Sequence, residues 1–306
     1  MGTSLLGMAL VGAALLLGGC TDETAQSQSL TAQSHNAVGA WDMTFFGVGF
    51  QFYNGSGVGV DVGNAILVQP DGKILVGGAT DDGSTGTDPA IWRIMPFGNF
   101  DTAFGLGGLA VQPNGISAAD QINGLTIDKT GMIVGAGQQF NTGTSSYDMA
   151  MWRFFPDGLF ESQFTHSGPT GNTDDVANAV IEDAVGHYMV VGTTDNGASG
   201  NDLMIWAVRD TSMSSLDASN FNPGFGYKVF DAGGSNFDTA TAVLLQPDGQ
   251  LLVAGSGVVS STTYAMSVRV DSLSGATDTL YGASGKSLVT GLGATTTIRG
   301  MVRQPS

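Results

Sequence analysis

What the chain lacks narrows the field first. It holds one cysteine in 306 residues, so no disulfide can staple it and its stability must come from packing. Ten basic residues stand against twenty-seven acidic ones, a formal net charge of −17. Nucleic acid needs a basic footprint for its phosphates, so it is excluded as a partner, as is adhesion to an anionic lipid surface. Three histidines, His35, His166 and His187, fall in unrelated places. No Cys-His pair, HExxH motif or Gly-x-Ser-x-Gly elbow accompanies them. None of the 47 glycines has the strand–glycine loop–helix context of a phosphate-binding loop. Nor is there a long apolar run of 3.6-residue period after the first twenty residues, so helix is expected to be scarce.

What is there is a repeat of about sixty residues. An aromatic-glycine step occurs at Phe46-Gly47, Phe104-Gly105, Phe164-Thr165, Phe225-Gly226 and Tyr281-Gly282, at spacings of 58, 60, 61 and 56 residues. An aspartate follows four residues before an apolar run, at Asp61, Asp120, Asp175 and Asp238. That run meets a turn and a second run, most clearly in AILVQ-PDG-KILVGG (65–78) and AVLLQ-PDG-QLLVAG (242–255). A third run follows as AIWRI, AMWRF, MIWAV and SVRV, with Trp92, Trp152, Trp206 and Val268 in one repeat position. These runs are four to six residues long, rich in Val, Ile, Leu and Trp, and bounded by turn residues, so each reads as a strand. In Pro-Asp-Gly the proline presets φ, the aspartate bonds its own backbone and the glycine accepts positive φ. Self-similarity at this period, with about four short strands per unit, predicts an all-β propeller.

The order aromatic-glycine, Asp-x-x-x-Ala-Val, Gln-Pro-Asp-Gly-Lys-Ile-Leu-Val-Gly-Gly resembles the delta-60 repeat, a β-propeller-type repeat of bacterial surface and secreted proteins, over roughly residues 41–306. The third copy departs, with Glu182–Val185 at the turn and Thr165 in place of glycine. The resemblance implies the fold and carries no catalytic residues. Repeats are expected at about 41–99, 100–159, 160–220 and 221–276, with a partial one at 277–306. A propeller of about five blades would then combine an N-terminal strand near Gly47–Phe52 with a C-terminal strand Ile298–Gln304 in the fifth. Two strands of that blade have no source, so a fragment of a larger ring is expected in preference to an imperfect closure.

The first forty residues give an address. Residues 5–19 are apolar, too short for a membrane span and suited to a signal peptide spanning 1–19. They end in Leu17-Gly18-Gly19-Cys20, which resembles the lipobox of bacterial lipoproteins and makes Cys20 the expected lipidation site. Thr21 in place of aspartate then resembles default sorting to the outer membrane. Residues 20–40, polar and small, read as a flexible tether. The membrane is touched only through the lipid.

Candidate sites are few. Asp61, Asp120, Asp175 and Asp238 should lie near the channel mouth, either as a carboxylate ring for a cation or, the preferred reading, as scaffolding that bonds backbone N–H groups. Asp81-Asp82 with Asp88, and Asp195 with Asp202, sit in aligned glycine-rich connections whose oxygens would suit calcium, although ordinary turns explain them as well. Arg93, Arg153 and Arg269 share one position that Ala207 fills in the third copy, and should pair with a nearby aspartate or stack on tryptophan. No catalytic residue and no cofactor is expected. The predicted role is an envelope-anchored binding or scaffolding module for a protein or a glycan, met by the loops of one propeller face. The alternatives are a propeller-type carbohydrate-active enzyme with paired carboxylates and a structural segment of a surface protein.

Overall fold

In a computed structural model of the chain, residues 40–55, 59–81, 83, 86–113, 118–197, 200–210, 213–233, 237–289 and 296–303 are described. Asp42–Ser306 forms one compact unit. The signal peptide, Cys20 and the tether lie outside the described residues.

Every element is a strand, and the strands group by repeat. The first blade is β1 (Val62–Val68), β2 (Ile74–Asp81), β3 (Gly86–Ile94) and β4 (Leu109–Val111), joined by the short parallel β5 (Ala118–Ala119). The second is β6 (Gln121–Ile127), β7 (Ile133–Asn141), β8 (Ser146–Phe154) and β9 (Phe160–His166). The third is β10 (Asp175–Glu182), β11 (Tyr188–Asp195), β12 (Asn201–Val208) and β13 (Tyr227–Phe230). The fourth is β14 (Thr239–Leu245), β15 (Gln250–Val259), β16 (Thr262–Asp271) and β17 (Lys286–Val289). All four sheets are antiparallel meanders in chain order, and their inner strands pack in succession, β1 on β6, β6 on β10, β10 on β14. This is a β-propeller arrangement, as the repeat predicts.

The core lies between blades. Leu75, Ile91 and Phe104 of the first blade pack on Ile133, Trp152 and Phe154 of the second. Met149 and Met151 meet Tyr188 and Trp206 of the third, and Met189 and Ile205 meet Leu251 and Val268 of the fourth. Both faces of a middle blade are covered, which explains strands that are apolar on nearly every residue.

One device recurs at each junction. Every inner strand carries a β-bulge, between Gly63 and Ala65, Ile122 and Gly124, Ala177 and Ala179, and Ala240 and Ala242. The residue left unpaired is Asn64, Asn123, Asn178 or Thr241, and the bulge turns its side chain toward the next blade. Asn64 donates to the Ile122 carbonyl at 3.0 Å, Asn123 to Ala177 at 2.9 Å and Asn178 to Ala240 at 2.7 Å. Thr241 donates to the Ile298 carbonyl. Opposite each bulge stands a glycine: a Cβ on Gly78, Gly137, Gly192 or Gly255 would lie 1.7–1.9 Å from a bulge carbonyl oxygen. Gly137→Ala is therefore expected to destabilise by about 2–3 kcal/mol through a backbone shift. A urea midpoint should register it, with Gly300→Ala, where a Cβ meets nothing within 4 Å, as the neutral control.

The ends correct two expectations. Neither Gly47–Phe52 nor residues 298–303 is a strand, because neither has a second strand beside it to complete a ladder. Ile298 nonetheless takes the inner-strand position of a further repeat: its carbonyl receives Thr241 as Ile122 receives Asn64. At the other end Tyr53 covers Trp92 at 5.5 Å between centroids, while Ile66 of β1 is 72% exposed.

The aromatic-glycine step also needs correction in three copies. In the first and fourth blades it falls where predicted, with Gly105 at φ +52 and Gly282 at φ +55. Gly105 N–H donates across the junction to the Asp157 carbonyl at 2.7 Å. The residues making that same bond are Phe46, to Phe97, and Asn222, to Ser274. They too have positive φ, at +52 and +43. The buried aromatic of the third blade is thus Phe221, while Phe225, four residues on, is exposed. At the N-terminus the equivalent pair is Phe45-Phe46. Thr165 lies inside β9, where extended backbone places no demand for glycine.

Candidate functional site at the blade junctions

Each blade has two ends. At the turn end strand one hairpins into strand two and strand three exits; at the loop end strand two connects to strand three. The predicted acids gather at the loop end, because Asp61, Asp120, Asp175 and Asp238 sit at the start of first strands and Asp88, Asp148 and Asp202 near the start of third strands. The backbone ties these positions across junctions: Asp120 N–H donates to Thr87 beside Asp88, and Asp238 N–H to Asn201 beside Asp202. The junctions are consequently lined with carboxylates buried from solvent.

Three of the four recurring aspartates are satisfied as scaffolding. Asp61 accepts from Gly55 N–H at 3.0 Å and from the Thr80 hydroxyl at 2.5 Å. Asp120 accepts from Phe140 N–H at 2.8 Å, and Asp238 from Val258 N–H at 2.7 Å and from Ala232 N–H. Asp175 departs. It is 0% exposed and neither carboxylate oxygen has a hydrogen-bond partner among the described residues. The N–H that should serve it, on Asp195, donates instead to the Asp174 carbonyl at 3.1 Å. Burial outweighs the opposing pull of the Thr194 hydroxyl and, with the charges of Asp148, Asp174 and Asp195 adding to it, pushes the Asp175 carboxyl up to about 7. Nearby, burial holds His166 below its ordinary value, and its Nδ1 accepts from Gly168 N–H at 3.0 Å.

The calcium candidates divide. Asp82 lies outside the described residues. Asp81 and Asp195 each accept from a backbone N–H two residues on, at 2.7 and 2.8 Å, which is the ordinary turn reading. Asp88 is buried in β3. Asp202 meets two residues from outside its own loop: one oxygen each of Asp202, Asp231 and Asp238 lie within 4.8 Å of one another, a spacing compatible with one cation. Lys286, whose charge acts on Asp238, supplies part of the balance there.

The turn end carries the arginines. Arg93 pairs with Asp101 at 2.9 Å and lies over the Phe104 ring at 4.4 Å, so its aromatic partner is phenylalanine and not tryptophan. Arg153 pairs with Glu161 and Arg269 with Asp278. In the third copy Ala207 does hold the repeat position, and Arg209, two residues along, replaces the missing cation by pairing with Asp217 at 2.8 Å. His187 sits between Asp183 and Asp217 at 3.6 and 3.7 Å. Arg153 belongs to a larger network that sequence reading missed. It meets Glu161 through two nitrogens at 2.9 and 3.0 Å, Asp210 at 2.7 Å and the Tyr188 hydroxyl at 3.3 Å. Tyr188 in turn donates to Asp128 at 2.7 Å. Burial works against the Asp128 carboxylate, but hydrogen bonds from Thr130, Tyr188 and Met132 hold it below the usual range. The signal was available: Tyr188 fills a position that is Ile74, Ile133 and Leu251 elsewhere.

Around the same turn end each blade leaves at least two large apolar side chains exposed. They include Phe97 and Leu106, Phe155 and Leu159, Val185 and Phe225, and Leu273 and Leu280. An open groove of about 590 Å³ runs between the third and fourth blades there, lined by Val185, His187, Ser219, Asn220, Leu273 and Ser274. At the loop end a polar cavity of about 250 Å³ is lined by Gln139, Phe140, Asn141, Thr142, Asp148 and Thr165.

Comparison with known proteins agrees with the architecture. Residues 69–104, from the first Pro-Asp-Gly turn to the first aromatic-glycine step, match the family described as "Domain of unknown function (DUF5122) beta-propeller". No curated protein matches. Among solved structures, the chain is similar to a protein of unknown function from Bacteroides caccae, at 12% identity, covering 75% of this chain and 87% of that one with a TM-score of 0.31. It is also similar to the extracellular domain of a putative one component system from B. thetaiotaomicron, at 11% identity, covering 74% and 48% with a TM-score of 0.18. At those TM-scores neither likeness bears on function.

Proposed function

We propose that this β-propeller is a binding or scaffolding module of the bacterial cell envelope, lipid-anchored at Cys20, that docks a protein through its turn end. The observation that carries the reading is the rim of exposed apolar side chains, at least two per blade, around one end. Single exposed apolar residues are unremarkable, but a set repeated on one face marks an interaction surface. Exposed apolar side chains of this kind suit burial against a protein partner. The inventory of acids argues against the enzyme reading. Glycoside hydrolysis needs two carboxylates open to substrate, whereas Asp175, the strongly perturbed one, is sealed from solvent and does not line the cavity that Asp148 borders. A charge of −17 keeps such a surface soluble.

The test is capture from envelope extracts with the Cys20→Ser chain, beside a triple variant Phe97→Ser, Phe155→Ser, Phe225→Ser of unchanged thermal stability. A partner retained by the first and lost by the second is expected. Equal retention by both would remove the turn end from consideration, and failure of the native chain to take up labelled palmitate would remove the anchor.

A further inference from the structure

We propose that the junction between the second and third blades is a binding site for a hard divalent cation, calcium, held by Asp148, Asp175 and the Thr194 hydroxyl. Four buried oxygens of these residues have no hydrogen-bond partner among the described residues: Asp148 Oδ1, both oxygens of Asp175, and Thr194 Oγ1. All three residues are buried. Thr194 is the cross-strand partner of Asp175 in the β10–β11 ladder. In the first blade the equivalent pair closes on itself, Thr80 donating to Asp61 at 2.5 Å. In the second and fourth the aspartate takes a backbone N–H. Among the described residues, the third blade's aspartate is the one of the four that receives no backbone N–H, since the Asp195 N–H is diverted to Asp174.

Charge points the same way. Asp174 is drawn to this junction by Tyr147 N–H at 2.8 Å, and Asp195 acts on Asp175 from the far side. None of these four acids forms an ion pair with Lys or Arg among the described residues. His166, held neutral by burial, adds no charge. Buried carboxylates without a counter-charge are costly. A proton on Asp175 would neutralise one of them; a divalent ion neutralises two and occupies the open oxygens. Calcium takes six to eight oxygen ligands and completes a short protein set with water. Asp148 also borders the cavity of about 250 Å³, which Asp175 and Thr194 do not line.

Titration calorimetry of the full chain with calcium chloride, in metal-free buffer at neutral pH, tests the site. One-site binding is expected, with a matching rise in Tm. Asp175→Asn and Asp148→Asn should each abolish heat and Tm response. Asp231→Asn, which breaks the separate Asp202–Asp231–Asp238 cluster, should leave both intact. No heat, heat that survives Asp175→Asn, heat lost only in Asp231→Asn, or an equal response to magnesium would each overturn the proposal.

Discussion

Arg153→Ala is expected to cost about 3–5 kcal/mol, the range for removing one member of a buried charged network. Its guanidinium joins Glu161 of its own blade to Tyr188 and Asp210 of the next, so truncation strands two carboxylates and a buried phenol together. Hydrogen bonds from Arg153, outweighing burial, hold the Glu161 carboxyl below its usual range. That lowered value means the pair contributes above the ordinary glutamate range and loses its contribution as pH falls through the depressed one. The unfolding free energy of the variant should therefore lie closest to that of the native chain in acid. Arg209→Ala is the informative contrast: its side chain is 38% exposed and its Asp217 partner keeps Asn220, so a loss of about 1 kcal/mol is expected. Chemical denaturation of both variants at pH 7 decides the matter. Equal losses would mean that the Tyr188–Asp210 arm adds nothing to a simple ion pair.

Asp175→Asn is expected to do the opposite and stabilise the calcium-free chain at neutral pH. Burial raises the folded-state value from 3.8 to about 7, so the native state binds this proton more tightly than the unfolded chain does. The stabilisation from the proton is complete below about pH 4 and is lost as pH climbs to about 7. At roughly 1.4 kcal/mol per pKa unit the native chain should lose up to about 4 kcal/mol across that interval. Asparagine carries no charge to bury and should remove this slope. Its advantage over the native chain in chelator should thus be near zero at pH 4 and largest at pH 8. Asp238, also raised by burial, adds a slope of the same sign that both chains share, so the difference between them isolates Asp175. A pH profile parallel to that of the native chain would show that Asp175 ionises freely.

Both expectations concern the junction of the second and third blades, and the sequence marks that place indirectly. The third copy has the altered turn at Glu182–Val185, the tyrosine at 188 and the doubled Asp174-Asp175, all legible as departures from the repeat. What those departures do was not legible. Arg209 lies outside the repeat position and could be recognised as the replacement only once the structure paired it with Asp217. The bulged residues Asn64, Asn123, Asn178 and Thr241 recur in sequence, yet a small polar residue inside an apolar strand announces no partner fifty to sixty residues away. Phe225 looked like the fourth aromatic-glycine step because a phenylalanine and a glycine adjoin there. Asn222 tolerates the left-handed backbone well enough to move the step to Phe221.

By itself, then, the amino-acid order determined the strand period, the four sheets, the hairpin turns and the tryptophan positions. These follow from local rules, namely apolar runs of strand length and turn residues with fixed φ demands, repeated often enough for each copy to check the others. Which carboxylates become buried, which of them find a donor and which apolar side chains stay exposed was decided by the tertiary structure alone. Those outcomes depend on the register of one blade against the next, and a single N–H diverted from Asp175 to Asp174 separates a scaffold aspartate from an open one.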